Sequence, residues 1–269
     1  MSDQRANFKP HWFGEYELLK PLGVGGMAEV YLARTVRSKG FQKIVVVKRL
    51  LPQYAPDPHY VQMFIQEAKL TVQLQHANIV QIFSLEEHAG QPFIAMEYVH
   101  GKDLLRVLGR AREKNADLPI EFSVHCIAEM LKGLGYAHNA SGPHGPLNLV
   151  HRDVTPSNIF ISFEGDVKLG DFGVAHCVDS SQAKRVLGKL SYLAPEVIAG
   201  DRADARSDIY GAGVVLWETL ALRPLFRANH EGELIMQILN RTPGPPSAHN
   251  ARVPHDLDAI AARALAKQP

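Results

Sequence analysis

Cysteine is nearly absent from this 269-residue chain, occurring only as Cys126 and Cys177. The two are far apart and outside any CxxC pattern, which argues against a disulfide framework and fits a reducing, cytoplasmic setting. Both read as small apolar residues. Charge of one sign is lacking too: 29 basic residues face 28 acidic ones, giving a net charge of +1, and the signs are interspersed. That balance excludes a broad electrostatic footprint for nucleic acid or a membrane surface, so any partner must be recognised locally. No apolar run approaches the roughly 18 to 20 residues of a membrane span, and no repeat or low-complexity tract is present. The segment Thr242 to Pro246 is merely a Pro/Gly-rich loop. What remains is an ordinary globular composition with 46% hydrophobic residues. A chain of this length can bury roughly three quarters of its unfolded surface without staples.

Periodicity divides the chain in two. Tyr16–Leu22, Glu29–Thr35 and Lys43–Leu50 read as strands, separated by turns at Gly23–Gly26 and Ser38–Gly40. After the start signal Asp57-Pro58, the residues Val61, Phe64, Ile65, Ala68 and Val72 recur at helical spacing. Strands resume at Val80–Leu85 and Pro92–Tyr98 around a turn at His88–Gln91. Beyond Gly101 the pattern is helical, near Asp103–Glu113, Glu121–Asn139, Asp208–Leu222, Gly232–Asn240 and Leu257–Ala266. The expected organisation is an N-terminal extension over 1–15 and a domain over 16–269. Within that domain a sheet-rich lobe (16–98), a hinge (97–101) and a mostly helical lobe (102–269) follow in order.

Three constellations carry chemistry. Residues 22–30 read LGVGGMAEV, a glycine-rich hairpin between two strands, whose bare backbone N–H groups suit phosphate oxygens. The setting is not the dinucleotide fingerprint, which opens a helix. Lys48 ends an apolar strand, and Glu67 stands nineteen residues on, on the following helix. A buried lysine near phosphates needs such a carboxylate to orient it. The third group is LVHRDVTPSNIFI over 149–161, VKLGDFG over 167–173 and YLAPE over 192–196.

In that order these segments match HRDxxxxN, DFG and APE, and the chain resembles a protein kinase from about Tyr16 to its last residue. Gly23 to Tyr31 follows the GxGGMxxVY style of bacterial eukaryotic-like (Hanks-type) serine/threonine kinases. The resemblance implies an α+β, two-lobed protein kinase fold, with a small antiparallel-sheet lobe carrying one main helix and a larger, mostly helical lobe. It implies Asp153 as catalytic base, Lys48 as the phosphate-binding lysine paired with Glu67, and Asn158 and Asp171 as Mg²⁺ ligands. For ATP it implies a loop of Leu22, Gly23, Val24, Gly25 and Gly26, and a hinge with Met96 as gatekeeper and the backbones of Glu97 and Val99 on the adenine. Val30, Val46 and Phe160 would sandwich the ring, and Asp103 would reach the ribose. Asp208 resembles the buried aspartate that braces the catalytic loop.

Several positions depart from the family pattern. Thr155 stands where lysine is usual, and Lys189 where threonine is usual. The two are read as having traded places, Lys189 supplying the cation beside the transferring phosphate and Thr155 its hydrogen-bonding partner. No threonine lies between Asp171 and Glu196, and Arg185 falls at the usual activating site, leaving Ser180, Ser181 and Ser191 as acceptors. Ala28 replaces the last loop glycine, and Thr71 replaces an apolar member of the stack expected to include Ile82, His151 and Phe172. The chain is read as stopping before its final helix and before the arginine that normally pairs with Glu196, so regulatory domains are expected beyond Pro269.

The expected function is therefore a non-specific serine/threonine protein kinase, with ATP, Mg²⁺ and a protein hydroxyl as its partners. Degenerate kinases commonly lack one of Lys48, Glu67, Asp153, Asn158 or Asp171, and all five are present. The alternative is a pseudokinase acting as a nucleotide-binding scaffold, motivated by Thr155. A small-molecule phosphotransferase would lack Ala194–Glu196. Tyrosine specificity typically places an arginine between the catalytic aspartate and asparagine, and none lies between Asp153 and Asn158.

Overall fold

The computed structural model describes residues 8–36, 42–142, 145–172 and 188–268. Cys177, Ser180, Ser181, Arg185, Gly173 and the turn at Ser38–Gly40 therefore lie outside the described residues. The chain separates into two compact units, Met1–His76 with Val80–Val99, and Ala77–Ile79 with His100–Pro269.

The first unit is built on an antiparallel sheet of β1 (His11–Phe13), β2 (Tyr16–Val24), β3 (Ala28–Val36), β4 (Gln42–Leu50), β5 (Ile82–His88) and β6 (Gln91–Glu97), in the order β1-β2-β3-β4-β6-β5. Val45–Val47 are all buried because both faces of the sheet are covered there, whereas Ile44 before them is exposed. One face carries Tyr31, Ala33, Val45, Val47, Phe93 and Ala95, which pack with Phe13, Tyr16 and Leu18. Against the other lies helix α1 (Pro58–Thr71), whose Phe64 and Ala68 join Ala28, Leu50, Ile82 and Ile94. Asp57 starts that helix as expected, its side chain accepting the His59 N–H at 2.9 Å. Strand β1 comes from the segment expected to be an extension. Three residues are too few to show a period, so only tertiary packing of Phe13 reveals it.

The second unit holds a three-stranded sheet of β7 (Gly101–Asp103), β10 (Ile159–Ser162) and β11 (Val167–Leu169), in the order β11-β10-β7. Between β7 and β10 come α2 (Leu104–Glu113), α3 (Ile120–His138) and a small ladder of β8 (Ser141–Gly142) with β9 (Gly145–Pro146). After β11 follow α4 (Pro195–Ile198), α5 (Ala205–Ala221), α6 (Glu231–Asn240) and α7 (His255–Ala264). Helix α5 is the central one, buried continuously from Tyr210 to Ala221 and mostly apolar on every side. It begins three residues before the expected start, because Asp204 and Ser207 form a capping box there that apolar periodicity does not reveal. Its end is set by Leu222, in the left-handed region at φ 50°.

Gly101 shows why the crossover into the second unit is tight. It lies opposite Ser162 in the β7–β10 ladder, and a Cβ on it would sit 1.8 Å from the Ile161 carbonyl oxygen. Backbone cannot yield as a flexible side chain can. Gly101→Ala is therefore expected to destabilise the protein by roughly 1 to 3 kcal/mol, as forced overpacking does. Chemical denaturation checks this, and an unchanged midpoint would show that the ladder tolerates the side chain.

Candidate active site

In the first unit, the β3–β4 and β4–β6 registers set Val30 opposite Lys48 and Val46 opposite Met96, so these four share one face of the sheet. Lys48 Nζ donates to Glu67 Oε1 at 2.8 Å, across from α1 on the same face, with both side chains mostly buried. Thr71, one turn on, is buried as well, and its hydroxyl donates to the Glu67 carbonyl at 2.8 Å. The β2–β3 hairpin closes through the Gly25 N–H on the Ala28 carbonyl at 2.6 Å. A Cβ on Gly23 or Gly26 would meet nothing within 4 Å, and neither residue has a positive φ. Neither packing nor backbone geometry within the chain demands glycine there.

In the second unit a single buried carboxylate fixes the loop at 151–153. Asp208 accepts the N–H groups of His151 at 2.7 Å and Arg152 at 2.8 Å, and the His138 ring nitrogen Nε2 at 2.7 Å. That grip holds Arg152 at φ 64°, a left-handed conformation that costs a non-glycine residue about 1 to 3 kcal/mol. His151 is fully buried between its neighbours: Nδ1 accepts the Asp153 N–H at 3.2 Å, and Nε2 donates to the Gly170 carbonyl at 3.1 Å. Those two bonds fix its tautomer, and burial holds the imidazole below its ordinary pKa despite the nearby aspartates. Its ring packs on Phe172 with centroids 4.4 Å apart.

Asp153 is buried, and its two oxygens are unequal. Oδ2 accepts Asn158 Nδ2 at 2.9 Å and Lys189 Nζ at 2.5 Å, whereas Oδ1 has no hydrogen bond among the described residues. Asn158 Nδ2 also donates to the Asp153 carbonyl at 2.8 Å. Only the NH₂ group can face two acceptors, so Asn158 Oδ1 points away and has no hydrogen bond among the described residues. Asp171 is exposed and left-handed at φ 56°. Phe160 lies opposite Asp103 and Lys168 in the small sheet.

One expectation needs correcting. Lys189 and Thr155 do not pair: Lys189 takes the Asp153 carboxylate, a stronger partner for a cation than a neutral hydroxyl, while Thr155 Oγ1 bonds Ser157 Oγ at 2.8 Å. Asp103 is committed to the first turn of α2, where Oδ1 accepts the Arg106 N–H at 2.8 Å and Oδ2 meets Arg106 Nε at 3.1 Å. Glu196 accepts the Ser207 hydroxyl at 2.7 Å.

The family described as Protein kinase domain matches residues 16–269. The chain belongs to that family. Similar to this kinase domain are Tyrosine-protein kinase MasK of Myxococcus xanthus (37% identical, covering 96% of this chain and 40% of that protein) and Serine/threonine-protein kinase PknB of Mycobacterium leprae (36%, 97% and 41%). Among solved structures, the PknI kinase domain of Mycobacterium tuberculosis superposes with a TM-score of 0.71 at 29% identity, covering 97% of this chain and 92% of that one. The fold is thus the two-lobed α+β kinase fold. The chain spans about two fifths of the length of the curated relatives it matches. Among the described residues, no helix of this kinase domain is long and apolar enough to cross a membrane.

One residue of consequence had no counterpart in the motif reading. Glu218, only 4% exposed in the middle of α5, accepts the Tyr192 hydroxyl at 2.8 Å and the Leu225 N–H at 3.0 Å. An acid inside the run GVVLWETLA was the available signal. Burial raises its pKa, opposed by those two hydrogen bonds and by Arg112 and Arg227. A carboxyl raised on folding contributes stability that is full below its ordinary value of 4.5 and is lost as pH climbs through the raised one. Relative to the parent, Glu218→Gln should therefore gain stability between pH 4 and pH 7.5. Urea unfolding at both values tests this, and a difference that is constant or moves the other way would refute the ionisation argument.

Proposed function

We propose that this domain transfers the γ-phosphate of ATP to a serine or threonine hydroxyl of a protein. The observation carrying the reading is the asymmetry of the Asp153 carboxylate. Oδ2 is saturated by Asn158 and Lys189, which leaves Oδ1 to accept the hydrogen of an incoming hydroxyl. In the reaction the hydroxyl oxygen bonds to the γ-phosphorus, the bond from that phosphorus to the β–γ bridging oxygen breaks, ADP departs, and the proton passes to Asp153. Such transfer needs positioning and charge neutralisation more than covalent work by the protein.

The remaining residues fit that division of labour. Lys48, oriented by Glu67, would hold phosphate oxygens, and the open space above Gly23 and Gly26 admits phosphates close to the backbone. Asn158 Oδ1 and the Asp171 carboxylate are hard oxygen donors that suit Mg²⁺, which characteristically takes one or two protein oxygens and completes its shell from phosphates and water. Bound there, Mg²⁺ would neutralise charge on the phosphate oxygens. Met96, Val30, Val46 and Phe160 would line the adenine, with the backbones of Glu97 and Val99 pairing it. Lys189 supplies the cation beside the acceptor.

Incubation with γ-labelled ATP, Mg²⁺ and a generic basic protein, followed by phosphoamino-acid analysis, tests the reading. Phosphoserine or phosphothreonine is expected, and Asp153→Asn or Lys48→Met should abolish it while changing stability by no more than about 1 to 2 kcal/mol. Parent-level transfer by either variant would overturn the assignment. ATP binding without any turnover would favour the scaffold reading, and phosphotyrosine alone would change the acceptor class.

The Lys189 role has its own test. Lys189→Thr should lower turnover by roughly 10² to 10³, the scale of losing one pre-placed electrostatic group. Adding Thr155→Lys returns a cation to the neighbouring loop and should recover much of that loss. Strict additivity of the two substitutions would show that position 155 cannot substitute for position 189.

A further inference from the structure

Beside Lys189 the second unit has a pocket of about 520 Å³, lined among others by Gly188, Ser191, Pro224, Phe226, Arg227 and Leu234. Gly188, in its lining, is the chain neighbour of Lys189, whose side chain bonds Asp153. Its two walls share one support. The Tyr192 hydroxyl, next to Ser191, and the Leu225 N–H, between Pro224 and Phe226, both bond to the buried Glu218 carboxylate. The segment that carries Lys189 is further closed on itself by the Tyr192 N–H on the Lys189 carbonyl at 3.0 Å. A pocket whose opposing walls hang on one buried group is held ready rather than formed by the ligand.

Its electrostatics are one-sided. Phe226, Pro224 and Leu234 are apolar, and Arg227 is the one charged residue among the described lining. Arg227 is exposed, and its guanidinium has no hydrogen bond or ion pair among the described residues. Glu218 is close enough to feel that charge, but its oxygens are already taken by Tyr192 and Leu225. On α6, Glu233 is occupied with the Asn229 N–H at 3.1 Å and Gln237 Nε2 at 3.3 Å, and Glu231 is an exposed first-turn residue.

Resting on the kinase reading of the adjacent site, we propose that this pocket selects protein segments with an acidic side chain near the acceptor hydroxyl, its carboxylate meeting Arg227 over the apolar floor. Because Gly188 of the lining adjoins Lys189, which bonds Asp153, the positions to examine are those flanking the acceptor.

The test is binding, read by fluorescence anisotropy with labelled peptides that carry one serine and place Glu, Ala or Lys at each of the three positions on either side. For the parent protein one position should favour Glu over Lys by about five- to tenfold in Kd, the range expected for exchanging attraction for repulsion at an exposed charge. Arg227→Ala should erase the preference, and Arg227→Glu should invert it. Equal Kd values for Glu and Lys at every position in the parent, or a preference that survives Arg227→Ala, would overturn the proposal. Because binding is read without turnover, the two readings fail separately. Selective binding with no phosphate transfer would refute the kinase activity and uphold the subsite, whereas transfer with no charge preference would refute the subsite alone.

Discussion

Asp208 is the group on which the geometry around Asp153 in the second unit depends. A carboxylate that is 1% exposed would be costly if unpaired, and three donors from two other parts of the chain converge on it. Those donors bind because the backbone at His151 and Arg152 takes a conformation it would not choose alone. From that fixed point the order passes outward: His151 grips Gly170, the Asp153 N–H grips His151, and Asn158 grips Asp153. Asp153 is thus aimed by a helix-borne anion through a chain of hydrogen bonds, each defined by the previous one. Networks of this sort hold geometry well when every member is satisfied.

The first unit solves a different problem. Lys48 sits in a mostly buried place, and the sheet register sets it on the face where α1 brings Glu67. The helix is amphipathic in an unusual sense, since the residues it buries include Glu67 and Thr71 alongside Phe64 and Ala68. Thr71 meets its own need by bonding one turn back, which leaves the carboxylate free of competition from that hydroxyl.

Much of this was legible before any coordinates. Strands rich in valine, the Asp57-Pro58 start and the segments around Asp153, Asp171 and Glu196 each have a local cause, and local causes survive in a linear reading. What escaped was set by tertiary contact. The strand at His11–Phe13 exists because Phe13 has a sheet to cover, and Glu218 matters because Tyr192 and Leu225 reach it from elsewhere. The pairing expected of Thr155 failed for a similar reason. Family position identified the two residues that differ, but which acceptor a lysine chooses depends on the carboxylate that folding puts within reach.

Strand β1 also separates two meanings of a boundary. The segment recognised by sequence starts at residue 16, yet the apolar cluster on the outer face of the sheet includes Phe13, with Phe8 packed against it and Arg49 stacked over the Phe13 ring at 5.1 Å. A chain trimmed to the recognisable segment would leave Tyr31 and Phe93 facing water and would open β2 as a bare edge. Such an edge recruits other chains. For this protein the hydrophobic unit is longer than the hereditary one, and those few residues cover its apolar face and the first three residues of the β2 edge.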